Sequence, residues 1–132
     1  MKYRLWLFVL FLGVSRKPAT AGIASAMKAE DLMEKCRYVE ADFKKLNSTE
    51  LSDINTCMSY ISGVVDGYAV GVITSSRERT MLCDMPDDVT LKQIALIVLH
   101  YGKENPGELH LPASIITMKA LNKSFPCKSS SG

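Results

Sequence analysis

The sequence contains none of the short motifs that carry common hydrolytic or nucleotide-dependent chemistry. The patterns G-x-S-x-G, H-E-x-x-H and G-x-x-x-x-G-K-[ST] do not occur, which excludes a serine-hydrolase elbow, a zinc-protease helix and a P-loop. There are only two histidines, His100 and His110, and we interpret both as packing or capping residues. The absence of any C-x-x-C pair disfavours a structural zinc site. We therefore expect a protein that is not an enzyme and that needs neither a metal nor a cofactor.

The first 21 residues have the composition of an export signal. Lys2 and Arg4 precede the apolar run LWLFVLFLGV, which is too short for a helix that spans about 30 Å of hydrocarbon. Ala19-Thr20-Ala21 then fits the small-x-small pattern of a signal-peptidase site. A short membrane anchor or a buried helix is the alternative interpretation. We predict a cleaved signal over residues 1–21, a single domain over residues 22–132, and export from the cytoplasm.

Removal of this signal changes the charge balance of the chain. Four of the 16 basic residues lie within it, so that 12 basic residues remain against 14 acidic ones. A protein that binds DNA or RNA needs a clustered basic face. The mature chain has no such surplus of basic residues, so we expect no nucleic-acid partner and, after cleavage, no membrane association.

Apolar residues recur at helical intervals in four segments, which predicts an all-α protein. The first segment runs from about residue 26 to residue 46, and the second, preceded by possible caps at Asn47 and Ser48, from about residue 50 to residue 73. Thr90 and Gln93 have the spacing of a capping box that opens the third helix. The fourth segment covers residues 109–125, with Pro112 in its first turn. Short links between these helices predict an up-and-down bundle of four to five helices.

The four cysteines lie in the predicted mature chain, where an even number behind an export signal indicates disulfides. Cys36 and Cys57 lie on adjacent antiparallel helices, near the link that joins them. Cys83 precedes the third helix and Cys127 follows the fourth, at the same end of a second hairpin. We predict the pairs Cys36–Cys57 and Cys83–Cys127.

Three glycines, Gly63, Gly67 and Gly71, lie four residues apart in the second predicted helix. Each costs about 1 kcal/mol relative to alanine in a helix, and together they form a bare strip that another backbone can approach closely. The strip serves either close packing within the chain or an interface with a second copy or a foreign partner. A membrane-spanning G-x-x-x-G helix is poorly supported, because Asp66 lies in the middle of a short apolar stretch.

Two segments are candidates for contact with a partner. The link TSSRERTMLCDMPDD between the second and third helices is long for a compact bundle, and long ordered loops are often functional; the alternative is a solvated linker. The second segment is GKENPGE, with Glu104 and Glu108. Asp66 is interpreted either as a solvent-facing or salt-bridged aspartate or as a residue that binds the partner. The candidate residues of the long link are Ser75, Ser76, Arg77, Glu78 and Arg79.

The second half of the chain, from Cys57 to Cys127, resembles the Tai family of immunity proteins. The family pattern joins C-x-x-Y-I-x-G-V-x-D, C-x-P-x-x-V-T-x-x-Q, L-H-x-x-A and a closing F-P-C. Departures occur at Ser59 in place of glycine, Gly102 in place of leucine and Asn105 in place of histidine. The matching residues are Cys57, Tyr60, Ile61, Gly63, Val64, Asp66, Cys83, Pro86, Val89, Thr90, Gln93, Leu109, His110, Ala113, Phe125, Pro126 and Cys127.

The resemblance implies a periplasmic helical protein, often a homodimer. Such a protein plugs the active site of a papain-like peptidoglycan amidase delivered by type VI secretion, and thereby protects the producing cell and its kin. In such proteins a helix face and a protruding loop make the contact. The alternative from another class is a small acid-activated periplasmic chaperone, which would bind many unfolded clients on acidification. A hydrolase, the third hypothesis, would need a free thiol or a bound metal.

Overall fold

A computed structural model describes residues 26–75 and 81–127. The predicted signal peptide, the candidate residues 76–79 and the C-terminal tail lie outside this range. The described chain forms four α-helices and two short 3₁₀ helices, with no strand, so the prediction of a small all-α bundle is confirmed. The helices are α1 (Ala29–Cys36), α2 (Ser48–Ser75), α3 (Leu91–Glu104) and α4 (Ala113–Ser124), and the 3₁₀ helices are η1 (Phe43–Lys45) and η2 (Pro106–Glu108).

The first helix is shorter than the sequence pattern predicts. It ends at Cys36 rather than near residue 46, and the chain continues through turns in which Val39 N–H donates to the Cys36 carbonyl at 3.0 Å. Asp42 then caps η1, because its side chain accepts from the Lys44 amide at 3.1 Å. An aspartate that bonds its own backbone competes with helix continuation. Val39 nevertheless reaches the core and is completely buried, so the apolar spacing is satisfied without a continuous helix.

Side-chain caps fix where α2 and α3 begin. The Asn47 carboxamide oxygen accepts from the amides of Thr49 and Glu50 at 2.9 and 3.0 Å, and the Glu50 carboxylate accepts from the Asn47 amide at 2.9 Å. Thr90 and Gln93 form the predicted capping box at the start of α3. Each cap satisfies backbone donors that a helix N-terminus leaves unpaired, so both predicted starts are confirmed to within two residues.

The N-termini of α1 and α4 cap each other through backbone hydrogen bonds. The Ala29 amide donates to the Leu111 carbonyl at 2.9 Å, and the Ala113 amide donates to the Met27 carbonyl at 2.8 Å. The prediction that α4 includes residues 109–112 is therefore wrong. Pro112 is its N-cap, because the carbonyls just before it are used by α1.

Both predicted disulfides are confirmed, and they differ in their surroundings. Cys36–Cys57 joins α1 to α2 inside the core, where both residues are completely buried. Cys83–Cys127 joins the segment before α3 to the segment after α4, and Cys83 is exposed. The core around the first bridge contains the fully buried side chains of Leu32, Val39, Ile61, Val98, Ile116 and Leu121.

An ion-pair cluster lies beside the buried disulfide. Asp53 of α2 is 8% exposed, and its carboxylate accepts from Lys35 Nζ at 2.8 Å and lies 3.6 Å from the Arg37 guanidinium. The hydrogen bond to Asp53 and its negative charge raise the pKa of Lys35 above its usual value. The cluster holds the end of α1 against the first half of α2.

Gly102 is the position where a glycine is needed for close packing. It is buried in the last turn of α3, and an added Cβ would overlap Met33 Sδ of α1 and lie 3.0 Å from Met33 Cγ. Met33 therefore occupies the space that a larger residue at position 102 would take. This contact accounts for glycine where the Tai pattern has leucine.

Candidate partner-binding surface

The two halves of α2 have different environments. The first half, residues 48–61, contributes four buried residues, which are Asp53, Ile54, Cys57 and Ile61. The second half, residues 62–75, contributes none, and we call it the α2 extension. One side of the extension, including Val65 and Tyr68, packs against the core. The other side faces solvent and carries Val70 and Ile73, which are 59% and 77% exposed and are the most exposed large apolar residues of the described chain.

The glycine strip lies on the solvent side of α2. Gly63, Gly67 and Gly71 are all exposed, and a Cβ built on any of them would meet no described atom within 4 Å. Close packing within the described chain is therefore not the reason for these glycines. The other use that the sequence left open, an interface, stays a prediction.

Asp66 is the charged residue of the α2 extension, and it is exposed. Its carboxylate lies 3.4 Å from the Ser62 hydroxyl, one helical turn earlier. This long contact with a neutral group leaves the carboxylate in water. Of the two interpretations made from the sequence, the solvent-facing aspartate describes the chain as it stands, and contact with a partner stays a prediction.

By length and composition α2 is also apolar enough to cross a membrane. The helix also carries Cys57, which the buried disulfide joins to Cys36, and Asp66 lies in its apolar part. A membrane span would have to extract Cys57 from the bundle and place the Asp66 carboxylate in hydrocarbon, at a cost of several kcal/mol. The hydropathy of α2 is instead explained by burial of the first half and by an apolar surface on the second.

Within the long link, the chain contacts the α2 extension again at Met81, through the side chain of Tyr68. The Tyr68 hydroxyl donates to the Met81 carbonyl at 3.0 Å and accepts from the Met81 amide at 3.1 Å. Leu82 follows with φ of 57° and is 2% exposed, and Cys83 forms the bridge to Cys127. We call residues 81–83 the return anchor. Sequence analysis did not find the Tyr68 contact; the available signal was a tyrosine on the core side of a helix that precedes a long link.

The second candidate segment lies at the other end of the bundle. Glu104 is the last residue of α3, and Glu108 is the last residue of η2. The neighbouring Lys103 lies 3.4 Å from Glu40 of the α1–α2 link. Ser75 lies at the far end of α2, where the Ser75 hydroxyl donates to the Gly71 carbonyl at 2.7 Å. The structure therefore separates the two groups of candidate residues.

Glu108 is held by internal contacts. Its carboxylate accepts from Lys119 Nζ at 2.6 Å and from the Tyr101 hydroxyl at 3.1 Å. The hydrogen bond from Lys119 is the main cause that lowers the pKa of Glu108. Glu104 is more accessible, with a side chain that is 64% exposed and an ion pair to Lys123 at 3.2 Å. Glu104 is therefore the more accessible of these two carboxylates.

Neither histidine forms part of a metal-ligand cluster. His100 Nε2 lies 3.1 Å from the Glu40 carboxylate, and this hydrogen bond is the first cause that lowers the pKa of Glu40. His110 is exposed in the turn before α4. Across residues 26–75 and 81–127, no group of three potential metal ligands from His, Cys, Asp and Glu comes together. Both cysteine pairs are oxidised in this range, so no described thiol is available as a nucleophile.

A rigid, cross-linked helical bundle with an exposed apolar helix face defines a class of small binding proteins from an oxidising compartment. A comparison with protein families identifies which one. The family model described as Rap1a immunity proteins matches residues 28–127, and the chain belongs to that family. Membership indicates a binding role against a cognate toxin. Comparisons with curated proteins and with solved structures found no match.

Proposed function

We propose that this protein is a periplasmic antidote that binds and occludes the active site of a type VI secreted peptidoglycan amidase, as the resemblance to Tai proteins implies. The observation that carries the proposal is the α2 extension, an apolar helix face without a partner in the described chain of a member of an immunity family. Exposed apolar side chains beside polar ones are typical of protein–protein interfaces.

The α2 extension and the return anchor are the proposed docking site. Val70 and Ile73 supply exposed apolar contacts, and Asp66 supplies a carboxylate on the same exposed half of the helix. Between Ser75 and Met81 the chain carries Arg77, Glu78 and Arg79, which lie outside the described residues. In the proposed mechanism this link enters the amidase groove and excludes substrate and water from its cysteine and histidine.

A triple substitution tests the link. Arg77→Ala, Glu78→Ala and Arg79→Ala together should weaken inhibition of the cognate peptidoglycan amidase, with helical circular dichroism unchanged. The matched control is Lys44→Ala, Lys45→Ala and Glu30→Ala, which removes the same charges from exposed positions elsewhere. Full inhibition by the first triple variant would exclude the link as the occluding element.

The alternative function, an acid-activated chaperone, makes a different prediction for the same surface. The exposed apolar face would then bind unrelated unfolded proteins, and binding would appear only on acidification. An antidote binds one folded amidase tightly at neutral pH. Titration calorimetry at pH 7 with the cognate peptidoglycan amidase, and aggregation assays with unfolded clients at pH 4, separate the two.

We further propose that the glycine strip mediates a homodimer, in which α2 of one copy crosses α2 of another. The strip is bare and exposed, and three glycines at four-residue intervals allow two helices to approach more closely than ordinary side chains permit. Light scattering of the purified mature chain measures its mass directly. A monomer at micromolar concentration would exclude this role.

A further inference from the structure

The three consecutive residues of the return anchor are each held by a different interaction. Both backbone groups of Met81 are bonded by one hydroxyl, that of Tyr68. The Leu82 side chain is buried although its backbone has a left-handed conformation, which is strained for a residue other than glycine. Cys83 is covalently joined to Cys127. A conformation that carries strain persists only where its surroundings determine it strongly, and such positions are enriched at functional sites.

Tyr68 is the member of this arrangement that belongs to α2. It lies 13 residues before Met81, so its hydroxyl closes the chain between the α2 extension and the return anchor. The tyrosine ring packs against the core, whereas its hydroxyl bonds only the return anchor among the described residues. The ring therefore stabilises the bundle, and the hydroxyl positions a segment beside the exposed apolar face.

We infer that Tyr68 is a positioning residue for partner recognition. Its hydroxyl holds the return anchor in the conformation that the partner binds, so that this order does not have to be created during association. Preorganisation of this kind raises affinity by lowering the entropy cost of binding. The inference rests on the proposed function, because the partner it concerns is the folded amidase.

The test compares Tyr68→Phe with Tyr101→Phe. Each variant removes one phenolic hydroxyl and keeps the ring; Tyr101 bonds Glu108 at the other end of the bundle and serves as the matched control. Association and dissociation rates with the amidase are measured by surface plasmon resonance, and exchange of the Met81 amide hydrogen by NMR. We expect Tyr68→Phe to lower the association rate by roughly 5- to 30-fold, which corresponds to about 1–2 kcal/mol for the two hydrogen bonds that it removes.

Four results distinguish the possibilities. Faster Met81 exchange, slower association and unchanged Tyr101→Phe kinetics support the inference. If wild-type protein binds the amidase and Tyr68→Phe associates equally fast, the inference is overturned while the proposed function stands. A change confined to dissociation would also overturn it, since that result indicates direct contact. If wild-type protein does not bind the amidase, the proposed function fails and the inference fails with it.

Discussion

The first and second halves of α2 have similar apolar content and opposite roles. In residues 48–61 most of the apolar side chains pack into the core, next to a disulfide and a paired aspartate. In residues 62–75 the same helix continues without a fully buried residue, with glycines and aliphatic side chains on its outer side. The difference teaches that apolar residues in this helix stabilise the core along one stretch and leave an exposed apolar surface along the other.

Two isoleucines of α2 provide the strongest test of this comparison. Ile61 is completely buried and Ile73 is 77% exposed. Ile61→Ala should lower the free energy of unfolding by about 3 kcal/mol, because it removes buried methyl groups and leaves a cavity. Ile73→Ala should change it by less than about 0.5 kcal/mol and should weaken amidase binding instead. Urea denaturation and calorimetry measure both quantities; equal destabilisation by the two variants would contradict the comparison.

Two glycine-to-alanine substitutions should act in opposite directions. Gly67→Ala meets no described atom and should raise the free energy of unfolding of the monomer by about 1 kcal/mol through helix propensity. Gly102→Ala overlaps Met33 and should lower it by about 1 kcal/mol. If the strip is a dimer interface, Gly67→Ala should also weaken dimerisation, which light scattering would detect. Destabilisation of the monomer by Gly67→Ala would show that the strip has a packing role.

Asp53 in the first half of α2 and Asp66 in the second should differ in their effect on the Tm, and the effect of Asp53 should depend on pH. Asp53→Asn should lower the Tm at pH 7, whereas Asp66→Asn should leave it nearly unchanged, because only Asp53 is paired with cations. Asp53 raises the pKa of Lys35 in the folded state above 10.5. The contribution of this ion pair to the free energy of unfolding is therefore complete below pH 10.5. That contribution is lost as the pH rises through the raised pKa. Thermal melts from pH 7 to 11 should show the Tm difference between wild type and Asp53→Asn decreasing only at the alkaline end.

The parts of the fold that the sequence predicted well depend on local signals. The Thr90–Gln93 capping box and the apolar period locate α3, and the Asn47 cap locates the start of α2. The length of α1 was overestimated because Phe43 and Leu46 continue its apolar spacing after the helix has ended. Val39 lies after the end of α1 and is still buried in the core. The apolar period of 3.6 residues therefore does not indicate where the helix stops.

The candidate site was predicted only in part, for a related reason. The glycine spacing identified a face of α2, but a sequence does not say whether such a face meets the core or solvent. The Tyr68–Met81 contact joins residues 13 positions apart across a link without periodic structure, so no local pattern indicates it. The separation of Ser75 from Glu104 likewise follows from helix packing and not from the residues themselves.

The mutual capping of α1 and α4 has a consequence for biogenesis. The Ala29 amide is satisfied by Leu111 and the Ala113 amide by Met27, so the first helix is completed by carbonyls that are synthesised near the end of the chain. The N-terminal turn of α1 therefore cannot form its native hydrogen bonds until residue 111 has been synthesised. Truncation beyond Met27 should destabilise the fold, because the Ala113 amide would then lose its acceptor.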